Sequence, residues 1–418
     1  MPEDSNDPLT NSETNLELIL TRIKSFNLQT DVPLAPFTTL KIGGPTRFFV
    51  KAETERHVIE AFEFAKENKL ELFVLGGGSN ILVSDQGFDG LVLQIAIKGI
   101  LSEPPSVAGG LTRLMEPSID ETNCLQPPAP AGGSDTLHTY LVTAAAGEDW
   151  DDFVRYCVDR NLAGVECLSG IPGFVGGTPV QNVGAYGQEV SETIESVRCL
   201  DRSTGETVHL SNAECEFTYR TSLFNTLMRD RFIVLSVTYA LTQGGEPKIV
   251  YKDLVDYFAE NMAAERRQDA SVPPKGVTLS EAREAVLEIR ASKSMVIDAC
   301  DPNSRSAGSF FKNPIVNKEK LAEIGKKLGI GSVPHFTMDE KNVKIPAAWL
   351  IEQSGFYKGF ILGNAAISTN HSLAIINRGG ASAAEILALK DLIQGEVGTK
   401  FGIELRPEPL FVGFKERI

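Results

Sequence analysis

The chain contains a glycine-rich segment at residues 164–190, which reads GVECLSGIPGFVGGTPVQNVGAYGQEV. It lacks the bulky side chains of a surface helix, and glycine interrupts it too often for an ordinary strand. Glycines allow backbone N–H groups to approach an anion closely, and the amides of Gln181 and Asn182 can bind a flat heterocycle. Both features are typical of a site for a pyrophosphate-bearing cofactor. The alternative is a tight, buried cluster of turns.

A second glycine-rich sequence follows a predicted strand. Residues 72–82 read LFVLGGGSNIL, and residues 38–44 upstream read TTLKIGG. No G-x-G-x-x-G pattern begins a helix here, which argues against a Rossmann domain. The sequence therefore predicts a phosphate-binding loop of another kind, and residues 76–80 are called the phosphate loop below.

Composition bounds the class of protein. The chain has 418 residues, of which 42% are hydrophobic and 23% charged, as in a globular protein of two or three domains. A net charge of −15 opposes nonspecific binding to nucleic acid or anionic membranes. The six cysteines and five histidines show no metal-binding spacing, so reduced thiols and no metal site are expected. The acidic N-terminus and the lack of a long apolar run predict a soluble, cytoplasmic protein.

Hydrophobic periodicity predicts a mixture of helices and strands. Residues 101–137 are rich in proline and glycine, which favours a mobile insertion over a functional lid. Strands are predicted at 48–51, 72–75, 91–97, 140–145, 196–200, 207–210, 231–241, 360–362 and 373–377, and helices at 16–26, 55–69, 149–161, 278–292, 317–328 and 382–397.

A serine-containing motif, SAGSFFKNP, lies at residues 306–314. Small residues surround Ser309, two phenylalanines follow it, and Lys312 and Asn313 add a cation and an amide. Without a G-x-S-x-G elbow or a nearby histidine, a nucleophilic hydrolase is disfavoured, whereas a proton-donating serine remains open. The alternative is a strand that enters a turn.

Over residues 34–414 these motifs resemble the UDP-N-acetylenolpyruvoylglucosamine reductase family, part of the flavin-binding superfamily of vanillyl-alcohol oxidase. Arg220 in YR, Ser309 in GSFFKNP and Glu408 in LRPE match the family's catalytic arginine, serine and glutamate in order. Tyr251 in IVYKDL matches the tyrosine loop of the type I branch. The resemblance therefore implies a type I-like member.

The resemblance implies an α+β fold with a two-part FAD-binding region and a separate α/β substrate-binding domain. The expected division is a disordered tail at 1–15, a first FAD-binding subdomain at 16–100 and 402–418, the insertion at 101–137, a second FAD-binding subdomain at 138–294 and the substrate-binding domain at 295–401.

The resemblance also implies FAD, NADPH as cosubstrate and a UDP-sugar substrate, in an expected monomer. The FAD should be noncovalent, because neither the phosphate loop nor residues 170–187 contain histidine or cysteine. The implied cofactor-binding residues are Lys41, Gly43, Gly76, Gly77, Gly78, Ser79, Asn80, Gly170, Ile171, Pro172, Gly173, Gly176, Gly177, Gln181, Asn182, Gly184 and Ala185. The implied substrate-binding residues are Tyr186, Tyr251, Lys293, Asn313, Lys344 and Gln353.

The implied reaction reduces the enolpyruvyl group of UDP-N-acetylglucosamine enolpyruvate and gives UDP-N-acetylmuramate, a peptidoglycan precursor. Hydride passes from NADPH to the flavin and then to the terminal carbon of the enolpyruvyl group. Arg220 and Glu408 would stabilise the enolate, and Ser309 would protonate the adjacent carbon.

The chain departs from the family pattern beside Glu408. Arg406 stands where many type I members carry an acid, and Leu410 stands where they carry an arginine, so the carboxylate contacts are expected to differ. Two other functions remain open. One is an oxidase of the same superfamily that uses dioxygen, and the other is a nonenzymatic nucleotide-binding or electron-relay module, in which Ser309→Ala would be neutral.

Overall fold

The computed structural model describes residues 26–103, 138–261 and 276–415. The expected tail at 1–15, the predicted helix at 16–26 apart from Phe26, and the expected insertion from residue 104 onward lie outside the described residues. The described helices are α1 Glu55–Glu67, α2 Trp150–Asp159, α3 Lys252–Asn261, α4 Leu279–Ser292, α5 Lys318–Leu328, α6 Ala347–Gln353 and α7 Ala383–Phe401.

The described strands include every strand expected from the sequence, with ends that differ by at most a few residues. They are β1 Gln29–Pro33, β2 Pro45–Ala52, β3 Glu71–Leu75, β4 Ile81–Val83, β5 Phe88–Ile95, β6 Ile100–Glu103, β7 His138–Ala145, β8 Leu162–Ala163, β9 Gly184–Ala185, β10 Gln188–Glu189, β11 Ile194–Asp201, β12 Thr207–Ser211, β13 Phe232–Gln243, β14 Ile315–Asn317, β15 Phe336–Thr337, β16 Asn342–Lys344, β17 Ile361–Leu362, β18 Ala365–Ile367, β19 Ile375–Asn377 and β20 Leu410–Val412.

The first sheet joins four strands in the order β1-β2-β5-β3. β2 and β3 run parallel to β5, whereas β1 is antiparallel to β2. Helix α1 begins after Thr54, whose side chain accepts a hydrogen bond from the His57 N–H. Val58, Phe62 and Ala65 are buried on one face of α1, because residues three or four apart lie on the same side of a helix. This face packs against the sheet.

The second sheet is antiparallel, with the order β12-β11-β13-β7-β6 and with β8 paired to β13. Leu101 to Glu103, at the start of the expected insertion, belong to β6 and pair with β7. Trp150 and Phe153 of α2 pack against Tyr239 of β13. The Tyr239 hydroxyl lies 2.8 Å from the Thr178 hydroxyl, so this core directly supports the glycine-rich segment.

The C-terminal region consists of short antiparallel sheets around the long helix α7. The buried side chains Ile386, Leu389 and Ile393 of α7 share a core with Leu40 and Leu82, which come from the N-terminal part of the chain. The region is therefore packed directly onto the loop that precedes β2 and onto strand β4.

The chain returns to its N-terminal part at the end. Strand β20 pairs in parallel with β4, with Leu410 opposite Ile81. Just before β20, Pro407 bridges Phe311 of the serine motif. These two pairings place Glu408 between the serine motif and the phosphate loop.

The start of α7 is capped by a residue from a distant loop. The Asp85 carboxylate accepts hydrogen bonds from the N–H groups of Ala383 at 2.7 Å and Ala384 at 3.1 Å. Ser382 and Glu385 form a capping box at the same helix end. Because a carboxylate also interacts favourably with a helix N-terminus, Asp85 ties the C-terminal region to the β4–β5 connection.

We predict that Asp85→Ala lowers the free energy of unfolding by about 1 kcal/mol, because two N–H groups at the helix N-terminus lose their acceptor. Denaturant unfolding followed by circular dichroism measures the change. Asp89→Ala is the matched control, since the Asp89 side chain is 89% exposed and lies 3.5 Å from Arg47. Equal stability of the two variants would contradict the capping role.

Candidate active site

The phosphate loop and the glycine-rich segment are in contact. A Cβ atom added to Gly77 would lie 2.7 Å from the Gly173 Cα, so only glycine allows this approach. Gly78 has φ +62° and packs against the backbone of Phe37. A Cβ atom added to Gly78 would lie 1.9 Å from the Phe37 carbonyl oxygen. The Thr39 N–H donates to the Gly78 carbonyl at 3.1 Å. Three separate parts of the sequence thus meet at one place.

The backbone of the phosphate loop is available for a ligand. The N–H groups of residues 77–80 donate to no acceptor among the described residues. Cβ atoms added to Gly76 or Gly177 would meet no other atom within 4 Å, so both glycines border open space. A run of unpaired N–H groups beside open space is suited to a phosphate or pyrophosphate.

The glycine-rich segment is held in place by Asp151. Its carboxylate pairs with Arg283 through two hydrogen bonds of 2.7 Å and accepts a third from the Gly170 N–H at 2.5 Å. Burial alone would raise the pKa of Asp151, but Arg283 and the Gly170 N–H outweigh it and lower this pKa. Asp151 therefore joins α2, α4 and the glycine-rich segment.

Arg220 occupies a strained turn. Thr218 and Thr221 exchange two backbone hydrogen bonds, of 2.9 and 3.1 Å, around the pair Tyr219 and Arg220. Arg220 has φ +55°, a left-handed conformation that is unusual for a residue with a Cβ atom. Residues 218–221 are called the Arg220 turn below. Such strain is typical of residues with a functional role.

The Arg220 side chain is directed at Glu408. Its terminal nitrogens donate to the carbonyls of Asn182 at 3.3 Å and Gly184 at 2.5 Å. Its Nε lies 3.4 Å from the Glu408 Oε1, in an ion pair whose side chains are 20% and 13% exposed. This Nε is buried and makes no hydrogen bond to any described residue, so it is a free donor in the site.

Glu408 is a buried carboxyl beside two cations. Burial raises the pKa of Glu408, although Arg220 and Lys312 act in the opposite direction. Its backbone N–H donates to the Phe310 carbonyl at 2.9 Å, which fixes it beside the serine motif. Its carbonyl accepts from the Asn80 side chain at 3.3 Å, which connects it to the phosphate loop.

Ser309 lies one residue before Phe310, whose carbonyl accepts the hydrogen bond from the Glu408 N–H. Its side chain is half-buried, and its hydroxyl has no hydrogen-bond partner within residues 26–103, 138–261 and 276–415. The Phe310 N–H donates to the Leu373 carbonyl at 2.8 Å. The serine is therefore fixed through its backbone while its hydroxyl remains free to act.

A second cluster contains three of the expected substrate-binding residues. The Tyr186 and Tyr251 rings meet edge to face, with centroids 5.5 Å apart, and the Lys293 Nζ lies 5.9 Å from the Tyr186 centroid. Lys293 also pairs with Asp253 at 2.5 Å. Burial raises the pKa of Tyr186 to about 12, so its hydroxyl stays protonated at neutral pH. This cluster joins the end of α4 to the start of α3.

Of the remaining three expected substrate-binding residues, Lys344 ends β16, Gln353 ends α6 and Asn313 lies just before β14. The Lys344 Nζ is 4.1 Å from the Tyr219 ring centroid, which places it at the Arg220 turn. The Asn313 Oδ1 accepts from the Ala347 N–H at 2.8 Å and so caps α6. Gln353 ends α6, about 9 Å along the helix axis from Ala347, and is exposed. Lys344 thus lies beside the Arg220 turn, whereas Gln353 lies at the far end of α6.

Two expected cofactor-binding amides are engaged inside the protein. The buried Asn182 side chain donates to Glu189 at 2.8 Å and to the Thr218 carbonyl at 3.0 Å. The Gln181 Oε1 accepts from Asn80 at 2.6 Å. Asn182 therefore supports the Arg220 turn, and Gln181 fixes the end of the phosphate loop.

Lys41 lies on the exposed side of the loop that precedes β2. Its Nζ donates to the Pro36 carbonyl at 3.2 Å. Nearby, Gly43 packs against Val83, whose Cβ an added Cβ would meet at 2.9 Å. Gly43 thus has a packing role in the structure.

The structure adds residues that the sequence did not single out. Glu189 accepts from Asn182, and its charge acts on Lys344. His371 lies close enough to Lys293 and Arg290 for their charges to act on it, and burial, aided by these cations, lowers its pKa to about 4. No local pattern marks Glu189 or His371. Arg290 could have been noted, since it precedes Lys293 by one helical turn.

Two family models match separate parts of the chain. A family model described as "FAD binding domain" matches residues 46–110 and 134–211, and one described as "UDP-N-acetylenolpyruvoylglucosamine reductase, C-terminal domain" matches residues 301–412. The fold and the site thus define a flavin-dependent oxidoreductase with a separate C-terminal domain.

Full-length relatives identify the family. The chain is 40% identical to UDP-N-acetylenolpyruvoylglucosamine reductase of Thermobifida fusca (strain YX), over 92% of this chain and 97% of the relative. It is 41% identical to the enzyme of that name from Saccharopolyspora erythraea, over 91% and 94% of the two chains. The chain belongs to the UDP-N-acetylenolpyruvoylglucosamine reductase family.

A solved structure supports the fold. The crystal structure of UDP-N-acetylenolpyruvylglucosamine reductase from Thermus caldophilus matches with a TM-score of 0.56 and 23% identity, over 92% of this chain and 99% of that one. The expected family, the α+β fold with an FAD-binding part and a separate C-terminal domain, and the FAD cofactor are confirmed. Among the described helices, none has both the length and the apolar character needed to cross a membrane.

We predict that Gly77→Ala weakens FAD binding by at least ~10-fold, because the new methyl group forces the phosphate loop away from Gly173. Flavin fluorescence titration of the apoprotein measures the Kd. Gly331→Ala is the matched control, since a Cβ there meets no atom within 4 Å and needs no strained φ. Unchanged FAD affinity in Gly77→Ala would contradict a role of the phosphate loop in FAD binding.

We predict a pH-dependent effect of Glu408→Gln on stability. Burial raises the pKa of Glu408 above the value of 4.5 for an unburied glutamate, so the folded state binds more protons than the unfolded state. The contribution of Glu408 to stability is present below pH 4.5 and is lost as pH rises through its folded pKa.

The free energy of unfolding of Glu408→Gln, relative to wild type, should therefore increase as pH rises from about 4.5 toward neutrality. Urea unfolding at several pH values measures this difference. The exposed Glu404→Gln is the control and should show no such trend. A relative stability of Glu408→Gln that falls with rising pH would show that its ion pairs outweigh its burial.

Proposed function

We propose that this protein catalyses the NADPH-dependent reduction of UDP-N-acetylglucosamine enolpyruvate to UDP-N-acetylmuramate, for peptidoglycan precursor synthesis. The observation that carries the proposal is the buried Arg220 and Glu408 pair, which holds a free N–H donor and a carboxyl of raised pKa. The Glu408 backbone N–H is bonded to the carbonyl of Phe310, the residue that follows Ser309. Family membership supports the substrate class.

The two glycine-rich loops suit FAD. The unpaired N–H groups of residues 77–80 would hold its pyrophosphate, and the open space at Gly76 and Gly177 leaves room for the cofactor. When bound, FAD would carry hydride from NADPH to the substrate. The protein's own task is to bind the enolpyruvyl group, hold the charge that develops on it and deliver one proton.

Arg220 would stabilise the developing enolate. When hydride adds to the terminal carbon of the enol ether, negative charge builds up on the adjacent carbon and on the carboxylate. The Arg220 Nε is already desolvated and directed into the site, so it need not reorganise when this charge appears. Its other nitrogens are fixed by the Asn182 and Gly184 carbonyls, which hold the guanidinium in this position.

Glu408 would share a proton with the substrate carboxylate. A carboxylic acid whose pKa is raised by burial can remain protonated and donate a hydrogen bond, and the doubly charged enolate favours such a donor. Lys312 and Arg220 lie close enough to limit repulsion when Glu408 is ionised. The carboxyl thus balances charge as the reaction proceeds.

Ser309 would complete the reduction by protonating the carbon next to the carboxylate. Hydride at one carbon and a proton at the other together saturate the double bond, and NADPH leaves as NADP. A serine hydroxyl is a weak acid, but a carbanion-like acceptor in a desolvated site favours the transfer. Its hydroxyl makes no competing hydrogen bond within the described part of the chain.

Lys293 in the second cluster and Lys344 beside the Arg220 turn would bind the UDP part of the substrate. Lys293 and Lys344 can pair with phosphate oxygens, and Tyr186 and Tyr251 offer hydroxyl groups and aromatic faces. We propose that Tyr251, Asn313 and Gln353 complete this site when substrate binds. We also propose that the protein is a monomer that acts on these nucleotides in the cytoplasm, without nucleic acid or membrane.

Anaerobic visible absorbance tests the function. NADPH should bleach the flavin absorbance, and UDP-N-acetylglucosamine enolpyruvate should then restore it. An oxidase of the same superfamily would instead be restored only by dioxygen. A binding module would not turn over with either, and that outcome would also refute the proposal.

We predict that Ser309→Ala slows substrate-dependent recovery of the flavin absorbance by about 10²- to 10⁴-fold, because the carbanion loses its proton donor. Bleaching by NADPH should stay unchanged, since that step needs no proton from Ser309. Stopped-flow absorbance measures both rates, and Ser332→Ala, at an exposed position, is the matched control. Equal recovery rates in the two variants would remove Ser309 from the mechanism.

A further inference from the structure

We propose that Lys312 is a positioning residue that locks the Arg220 turn and thereby aims the Arg220 guanidinium at the substrate. The inference rests on the proposed function, in which Arg220 stabilises the enolate. Ser309, Arg220 and Glu408 would contact the reacting group, whereas Lys312 would act through the backbone of Arg220.

The Arg220 turn needs support from outside itself. In a two-residue loop of this kind, a second residue with positive φ is normally glycine or asparagine. Arg220 has φ +55° at this place, so its conformation is costly for an isolated peptide. Strained residues persist where the surrounding structure fixes them.

Two side chains fix the carbonyl of Arg220. The Lys312 Nζ donates to it at 3.2 Å, and the Asn225 Nδ2 donates to it at 3.3 Å. Asn225 is held in turn by the Ser222 N–H, which donates to its Oδ1 at 3.0 Å. The peptide that follows Arg220 is therefore held from both sides, and this sets the direction of its side chain.

Lys312 also links the turn to the strand that carries Glu408. Its N–H donates to the Arg406 carbonyl at 2.9 Å, and Phe311 bridges Pro407. Because side chains alternate along paired strands, Lys312 and Glu408 project from the same face. Lys312 thus connects the Arg220 turn to the segment that carries Glu408.

The ammonium of Lys312 is half-buried among charged groups. Glu408 faces it with opposite charge, while Arg220 and Arg406 face it with like charge. A neutral replacement would remove one hydrogen-bond donor from the Arg220 carbonyl and one cation from beside Glu408. An arginine could replace both, because it keeps the charge and several donors.

The test compares Lys312→Met, Lys312→Arg and the exposed control Lys326→Met in the FAD-loaded protein. We expect Lys312→Met to slow flavin reoxidation by the enolpyruvyl substrate by at least ~10-fold, because a small displacement of Arg220 costs transition-state stabilisation. FAD content and the rate of bleaching by NADPH should stay within about twofold of wild type, and Lys312→Arg should recover most of the rate.

A double-mutant cycle with Arg220→Lys separates positioning from an independent electrostatic effect. If Lys312 acts through Arg220, Lys312→Met should cost no more than about twofold in the Arg220→Lys background. Multiplicative losses would overturn the inference, as would a normal rate in Lys312→Met. If Lys312→Met loses FAD, Asn225→Ala removes the other donor to the same carbonyl and must slow the same step for the inference to stand.

The outcome for wild type separates this inference from the proposed function. A wild-type protein that is reoxidised by the substrate, together with an unaffected Lys312→Met, would overturn the positioning role alone. A wild-type protein that the substrate does not reoxidise would contradict the proposed function and this inference with it.

Discussion

The contact between Arg220 and Glu408 is the interaction on which the site depends, because the two residues come from distant parts of the chain. Arg220 lies in a turn beside the second sheet, and Glu408 lies in the segment that leaves α7. The pairing of β20 with β4 and the bridge between Phe311 and Pro407 bring them together. The packing of α7 against Leu40 and Leu82 then holds the C-terminal region against the FAD-binding part.

Charge explains why this site is built from buried groups. The chain carries −15 overall, yet the proposed substrate is anionic, so its binding requires cations that are concentrated locally. Arg220, Lys312 and Lys344 supply them near one buried carboxyl, and burial lowers the pKa of both lysines. A desolvated site strengthens every such interaction, which would favour the proposed enolate but also makes an unpaired donor costly. The free Nε of Arg220 is consistent with a ligand that completes the site.

The sequence predicted the elements whose signal is local. Helix α1 was anticipated because its apolar residues repeat with a helical period. Strand β3 was anticipated because residues 72–75 form a continuous apolar run that ends in glycines. Helix α6 was missed, since seven residues are too few for a helical period to be recognised. Helix α3 was also missed, because the motif at Tyr251 was interpreted only as a loop. Neither error affects the overall fold.

The sequence predicted which residue types form the candidate site, but it predicted few of the contacts between them. Family motifs pointed to Arg220, Ser309 and Glu408, but no periodic pattern reveals that Asn313 caps α6 or that Asn182 supports the Arg220 turn. Such contacts join residues far apart in sequence and depend on the fold as a whole. An amide can bind a ligand or cap a helix equally well, so its type alone does not decide between these roles.

The most direct test of the central claim is a crystal structure of the FAD-loaded protein with UDP-N-acetylglucosamine enolpyruvate bound anaerobically in the absence of NADPH. The account predicts that an oxygen of the enolpyruvyl carboxylate accepts a hydrogen bond from the Arg220 Nε and lies beside Glu408, with the Ser309 hydroxyl next to the carbon to be protonated. An enolpyruvyl group bound away from these three side chains would contradict the account.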